Sequence, residues 1–385
     1  MANTLTDLVP DMYEALDVIS RELTGFIPAV NRSSNVDRAA LNQQVLVPVT
    51  RAESSADNTP GVTAPNTGDN TVDNVAVTIS KSKHVPVRFN GEETKGLMNA
   101  GTFSSIRADR LYQGMRTLVN EIEADLWGEA YTAASRAYGT AGTTPFGTAA
   151  DMTDFAGVLR ILEENGAPTT DLQLALGHAA IGNLRGKQSG LFKVNEAGSS
   201  DMLRNGMTDR IMNMAIRHSN AITVHTKGAG TGYTSNGGEP IGETAIVFDG
   251  ATVNTSGIKA GDVITWTGDT NKYVVGTGST GTSGTITLNK PGLRATLADE
   301  ISGTIGNSYT PNVAFARSAI VLATRAPAMP EGGDQASDTM MLVDDRTGLA
   351  FEVALYKQFL QNVLHVRLAW GYKAIKEEHI AILMG

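Results

Sequence analysis

The chain offers few residue patterns able to do covalent chemistry, and each is weakened by its surroundings. Gly276-Thr-Gly278-Ser-Thr-Gly281 has the GxGxxG spacing that lets a backbone close on a pyrophosphate. The residues that follow, Thr285-Ile-Thr-Leu288, read as a strand, so no helix N-terminus stands ready to hold phosphates. The segment is expected to be a hairpin tip. Ser80-Lys-Ser-Lys83 matches SxxK, in which a lysine activates a serine, but it lies in a strand-like stretch without a companion Ser-Asp-Asn. The six histidines, His84, His178, His218, His225, His365 and His379, include no i, i+4 pair and no HExxH. His365 alternates with Arg367 on the polar face of an expected strand, which suits a solvated or interface residue. Adjacent acids at Glu163-Glu164, Asp344-Asp345 and Glu377-Glu378 read as helix-end or turn charges. No catalytic, cofactor-binding or metal-binding residue is assigned, and no cofactor is expected.

Composition narrows the class of partner. The 385 residues carry 31 basic and 40 acidic side chains, a formal charge of −9. A dedicated nucleic-acid binder needs a basic surface to displace counterions, so that class is disfavoured. Zero cysteines exclude a disulfide scaffold, a thiol nucleophile and thiolate zinc sites. Charged residues make up 18%, below the usual ~25%. A weakly charged, glycine-rich chain is what a largely covered surface calls for. The first residues hold Asp7, Asp11, Glu14 and Asp17 rather than the basic start of a secretory signal, and no run approaches ~20 apolar residues. The expectation is a cytoplasmic protein with no membrane partner.

The elements follow from periodicity. Leu8, Met12, Leu16, Ile19 and Leu23 recur at helical spacing until Gly25 and Pro28. Val45–Val49 and the alternation at Val75, Val77, Ile79, Val85, Val87 and Phe89 predict strands. Between them, Arg51 to Asn74 has no aromatic residue and cannot order itself by burial. This predicts a two-stranded arm with an irregular tip. Leu111, Met115, Leu118, Ile122 and Leu126, continued by Trp127, Ala130 and Ala134, predict one long helix over 106–137, capped by Ser104 or Ser105 and ended by Gly139. A second helix opens at Asp151 and stops at Asn165-Gly166. Leu172, Leu174 and Leu176 alternate as a strand, and 179–188 reads as a helix. From about Gly228, glycine, threonine and serine dominate. Short strands at 245–248, 263–266, 272–275 and 285–288 predict a small barrel or sandwich. α+β character resumes over 313–324, 349–356 and 363–375, with a final strand at 380–383. The fold class is α+β, with an all-β domain inserted in one body.

One stretch supports a resemblance. Asn312-Val-Ala-Phe-Ala-Arg-Ser-Ala-Ile-Val-Leu-Ala-Thr-Arg-Ala-Pro327, continuing Ala-Met-Pro-Glu-Gly-Gly333, resembles the C-terminal signature of tailed-bacteriophage major capsid proteins, in the group typified by the phage P22 coat protein. Asp345-Arg-Thr-Gly-Leu-Ala-Phe-Glu-Val353 and Val366-Arg-Leu-Ala-Trp-Gly-Tyr-Lys-Ala-Ile375 resemble that family's closing strands, and Gly257-Ile-Lys-Ala-Gly-Asp-Val-Ile264 its inserted β-domain. The resemblance implies an HK97-type fold with an N-terminal arm or helix over 1–44 and an extended loop over 45–101. A spine helix would occupy 102–140 and a peripheral and axial body 141–237. The insertion would span 238–310 and the return segment 311–385. It further implies hexamers and pentamers of this chain in an icosahedral virion shell, assembled in the host cytoplasm. The implied partners are a separate scaffolding protein, a portal and weakly contacted double-stranded DNA, with expansion on maturation and no enzymatic step. The competing reading is a carbohydrate-binding or capsid-decoration surface module.

Charge placement supplies candidate contacts between subunits. Lys81, Lys83 and Arg88 on the arm are expected to pair with acids of a neighbour, among them Asp57, Glu121 and Glu123. Asp269 and Lys272 in the inserted domain complete the set.

Overall fold

The computed structural model describes residues 24–49, 73–99, 103–187, 210–252, 257–343 and 348–385, with isolated positions between 55 and 63. The helix expected over 8–23 and most of the irregular arm tip lie outside the described residues. The chain runs through β1 (Asn31–Ala39), β2 (Gln44–Val49), β3 (Asp73–Thr78) and β4 (Lys81–Asn90) into helices α1 (Gly91–Asn99) and α2 (Phe103–Thr132). Next come β5 (Arg136–Tyr138), α3 (Thr153–Glu164), β6 (Leu172–Leu176), α4 (His178–Lys187), β7 (Arg210–Ile211) and β8 (Met214–His218). The middle of the chain holds β9 (Tyr233–Ser235), β10 (Ala245–Asp249), β11 (Val263–Trp266), β12 (Tyr273–Thr277), β13 (Gly284–Leu288) and β14 (Ser302–Ile305). It closes with β15 (Pro311–Ala316), β16 (Ile320–Pro327), β17 (Asp338–Val343), β18 (Ala350–Gln358), β19 (Gln361–Ala374) and β20 (Ile380–Met384). The architecture is α+β. No described helix is long and apolar enough to cross a membrane.

The long helix forms because its apolar stripe has a sheet to cover. Leu111, Met115, Leu118, Ile122 and Leu126 are buried, joined by Val119 and Ala130. They share a core with Val87, Leu364, Val366, Leu368 and Trp370 of the six-stranded sheet β1-β16-β19-β18-β17, in which β4 also pairs with β19. Each fully buried side chain of this kind contributes about 1.5–3 kcal/mol. The helix starts at Phe103, ahead of the expected caps, and ends at Thr132 rather than near 137. Ala137 and its neighbours form β5 instead, in parallel register with Ala381–Leu383 of β20. Pairing with the C-terminal strand outcompetes further helical turns.

α1 has no apolar stripe to announce it, since it buries no side chain. It is set by a reciprocal cap: Asn90 Oδ1 accepts from the Glu93 N–H at 2.7 Å, and Glu93 Oε2 accepts from the Asn90 N–H at 3.1 Å. The second sheet runs β5-β20-β15-β6-β8-β7 and continues through a β12–β5 pairing, Tyr273 opposite Arg136, into the inserted strands. β6 does not alternate: all five of its residues are buried, as a strand covered on both faces requires. α3 lies so close to β5 that a Cβ at Gly157 would sit 2.3 Å from the Tyr138 ring. The stretch expected as one element over 313–324 is two strands, β15 and β16, broken by a short 3-10 turn at Arg317–Ala319.

The inserted strands close on themselves in the order β11-β14-β9-β10-β13-β12, and β12 pairs again with β11, every neighbour antiparallel. Closure leaves no free edge, which removes a route to non-specific strand pairing. Tyr233, Phe248, Trp266, Tyr273, Ile286 and Leu288 fill the interior. The glycine-rich GxGxxG segment is the turn joining β12 to β13, as expected, and no helix follows it.

Candidate functional site

The feature with least internal support is the hairpin β2–β3. Its strands pair antiparallel from Gln44↔Thr78 to Val49↔Asp73, and they form a sheet of their own. Among the described residues, its packing against the body centres on the base. There, Val77 and Ile79 pack with Ala39, Val321, Ala323 and Ala369, and Val45 and Val47 lie against the same cluster. Backbone bonds from Asn42 N to Ile79 O and from Ile79 N to Gln43 O, both 2.9 Å, fix the turn. Further out, Leu46 is 60% exposed.

From this base the chain continues as β4, paired with β19 over ten residues. One face of β4 meets α2. Lys81 Nζ lies 2.7 Å from Asp125 Oδ1 and 3.3 Å from Glu121 Oε1, and Lys83 bonds the same Glu121. Asp125 also accepts from the Trp370 indole at 2.9 Å. Burial works against the charge on Lys81, but the hydrogen bonds and charges of Asp125 and Glu121 outweigh it and raise its pKa. Burial likewise opposes the Glu121 charge, and Lys83 and Lys81 overcome it, lowering that pKa. These two lysines thus clamp the arm's root to the helix of the same chain.

The other expected contact residues divide. The Arg88 side chain is exposed on the opposite face of β4. Asp57 is exposed, and no ion pair reaches it among the described residues. Glu123 is not a surface acid. It is buried, and its carboxylate accepts from the N–H groups of Gly25 at 2.5 Å, Phe26 at 2.8 Å and Ile27 at 3.0 Å, and from Ser219 Oγ at 2.7 Å. Burial raises its pKa despite those four donors. Asp269 organises the β11–β12 turn, accepting from Asn271 N at 2.9 Å and from Tyr273 OH at 2.5 Å. Lys272 donates to the Gly139 carbonyl, and burial lowers its pKa. It lines a cavity of about 460 Å³ with Arg136, Tyr138, Phe146 and Asp154, between the barrel and the second sheet.

Two features escaped sequence reasoning. The first is the turn between β18 and β19, where Phe359 is 90% and Leu360 74% exposed. Leu360 sits at φ +53°, a left-handed position that leucine rarely takes. Two adjacent apolar residues between glutamines were the available signal. The second is a charge cluster on the first sheet, built around the buried Glu352. Glu352 lies 2.5 Å from Arg38 Nη2 and 3.5 Å from Arg367 Nε, while Arg367 Nη1 reaches Asp334 at 3.0 Å. Asp334 also accepts from Tyr356 OH, so the glycine-rich segment after Pro330 is strapped to β18 and β19. Hydrogen bonding from Tyr356, ahead of Ala336 N–H and Arg367, brings the Asp334 carboxyl down to about 2.

No protein-family model and no curated protein matches the chain. Among solved structures it is similar to one of Mycobacterium phage Che8, at 13% identity and TM-score 0.45, covering 90% of this chain and 88% of that one. It is similar to the capsid structure of cyanophage P-SCSP1u, at 10% identity and TM-score 0.47, covering 92% and 86%. A third similarity is to the mature capsid of bacteriophage PhiM1, at 11% identity and TM-score 0.44, covering 93% and 86%.

Proposed function

We propose that the chain is a shell-forming major capsid protein of the tailed-bacteriophage type, with an HK97-type fold. The observation that carries this reading is the β2–β3 hairpin, anchored at its root by packing and two lysine clamps but, among the described residues, hydrogen-bonded to no third strand. A two-stranded hairpin is at best marginally stable alone in water, and free strand edges invite another chain. A second copy is the partner that a shell supplies. The apolar Phe359-Leu360 tip is a second contact of the same kind. Shells built from many modest contacts hold because the contacts multiply, while single weak bonds still let misplaced subunits leave.

The tail resemblance at 312–333 supports the finer features. These are hexamers and pentamers, a separate scaffolding protein, a portal and double-stranded DNA held by weak contact inside an acidic shell. Assembly takes place in the host cytoplasm and needs no covalent chemistry. Arg88 and Asp57, both exposed, are the charges best placed to meet a neighbour. Sedimentation velocity of the full chain and of Leu46→Asp tests the reading. A folded Leu46→Asp protein that no longer forms large particles is the expected result. Undiminished assembly would remove the hairpin from the account.

A further inference from the structure

Away from the hairpin, two imidazoles meet at the C-terminal ends of β6 and β8. The strands run parallel with Leu176 opposite His218, and the chain turns at Gly177 into α4, which places His178 beside His218. His178 Nδ1 lies 2.8 Å from His218 Nε2, with the ring planes at 81°. On its far side, His178 Nε2 lies 2.8 Å from Asn220 Oδ1. We propose that His178 and His218 form a binding site for a late first-row divalent ion of the zinc class, oriented by Asn220.

The hydrogen bonds fix where the protons sit. An amide oxygen only accepts, so His178 carries its proton on Nε2 and keeps a lone pair on Nδ1, which receives the His218 N–H. Metal-bound histidines are held in this way, one ring nitrogen donating to an oxygen while the other faces the ion. Two nitrogens on a tetrahedral ion, each at about 2.0–2.1 Å, stand roughly 3.3 Å apart. The pair therefore opens by about half an ångström on that geometry, and His218 moves its proton from Nε2 to Nδ1. Each ring stays neutral, so no net proton is released, and water completes the coordination.

His178 is exposed and His218 half-buried, so an ion has a path in. Nitrogen-only ligation favours zinc, nickel or copper over magnesium or calcium. A bound ion would tie the start of α4 to the end of β8, where the chain leaves the second sheet for the barrel. His178 and His218 are 40 residues apart in the chain, so spacing alone does not reveal the pair.

The test is calorimetric titration of Zn²⁺ into the full chain at pH 7.5, beside His178→Ala, His218→Ala, Asn220→Ala and a His84→Ala/His365→Ala control. Circular dichroism checks that each variant is folded. Expected are one Zn²⁺ per chain, its loss in either single histidine variant, and binding weakened about 10–100-fold by Asn220→Ala. The control retains the site, and Mg²⁺ gives no binding. Absence of Zn²⁺ binding to the unaltered chain overturns the proposal. So does undiminished binding in both single histidine variants, or loss of the site in the control.

Discussion

The side-chain amide of Asn289, at the end of barrel strand β13, lies 2.7 Å from the carbonyl oxygen of Thr132, the last residue of the long helix. It also donates to Ala134 O at 2.7 Å, so one barrel residue satisfies a carbonyl of the helix's last turn and another just beyond it. This ties the barrel to the helix, beside the β12–β5 pairing that joins it to the second sheet. Asn289→Ala should destabilise the protein by about 1–3 kcal/mol, the cost of leaving buried carbonyls unpaired. Denaturant unfolding of the two proteins measures this.

Glu123 makes the corresponding tie at the other end of the described chain. Three consecutive backbone N–H groups and the Ser219 hydroxyl converge on its carboxylate. Glu123→Ala strips all four donors at once and should cost about 3 kcal/mol or more, given 1–3 kcal/mol for each unpaired buried group. Because burial raises its pKa in the folded protein, the folded state binds this proton more tightly. Its contribution to stability therefore falls as pH rises from the unfolded value of about 4.3 through the folded one, and is constant above that. Unfolding free energies between pH 4 and 8 should show this slope in the parent protein and not in the variant.

Asp334 has the opposite sign. Its folded pKa of about 2 lies below the unfolded value of about 3.9, so its contribution is present above pH 4 and is lost as pH falls through 2. Asp334→Asn should flatten the acid limb of the stability curve between those values. Hydrogen exchange at the backbone of 328–337 should rise in the same variant, since the strap to Tyr356 and Arg367 is gone.

The lysine clamp is partly exposed, so its worth is small. Lys83→Ala should change stability by roughly 0–1 kcal/mol, less at high salt, as for surface ion pairs generally. Lys81→Ala should cost more than Lys83→Ala, because Lys81 also contacts Asp125 and the Trp370 ring. Thermal unfolding at low and high salt separates the two.

Much of this fold could be read before any coordinates. The stripe from Leu111 to Leu126 specifies a helix because a wide apolar face has only one periodicity. The barrel strands at 245–248, 263–266 and 285–288 are each bracketed by turn residues. What stayed hidden depended on partners distant in sequence. β1 is mostly polar and forms because β16 offers a parallel edge. β5 contains Arg136, which reads as exposed, yet it is buried with Glu164 and Asn271 as partners. Glu123 reads as a surface acid until the helix stripe, broadened by Val119, is seen to carry it inward. Of the candidate contacts, the residue types of Lys81, Lys83 and Glu121 pointed to an ion pair. Sequence did not say that the pair closes within one chain.

The central claim is that this chain builds a closed shell. The most direct measurement is electron microscopy of the fast-sedimenting fraction after co-expression of the full chain with the product of a neighbouring gene chosen as the candidate scaffold. Closed particles of uniform diameter are the predicted result. Folded monomers alone, at high concentration and with scaffold present, would contradict it.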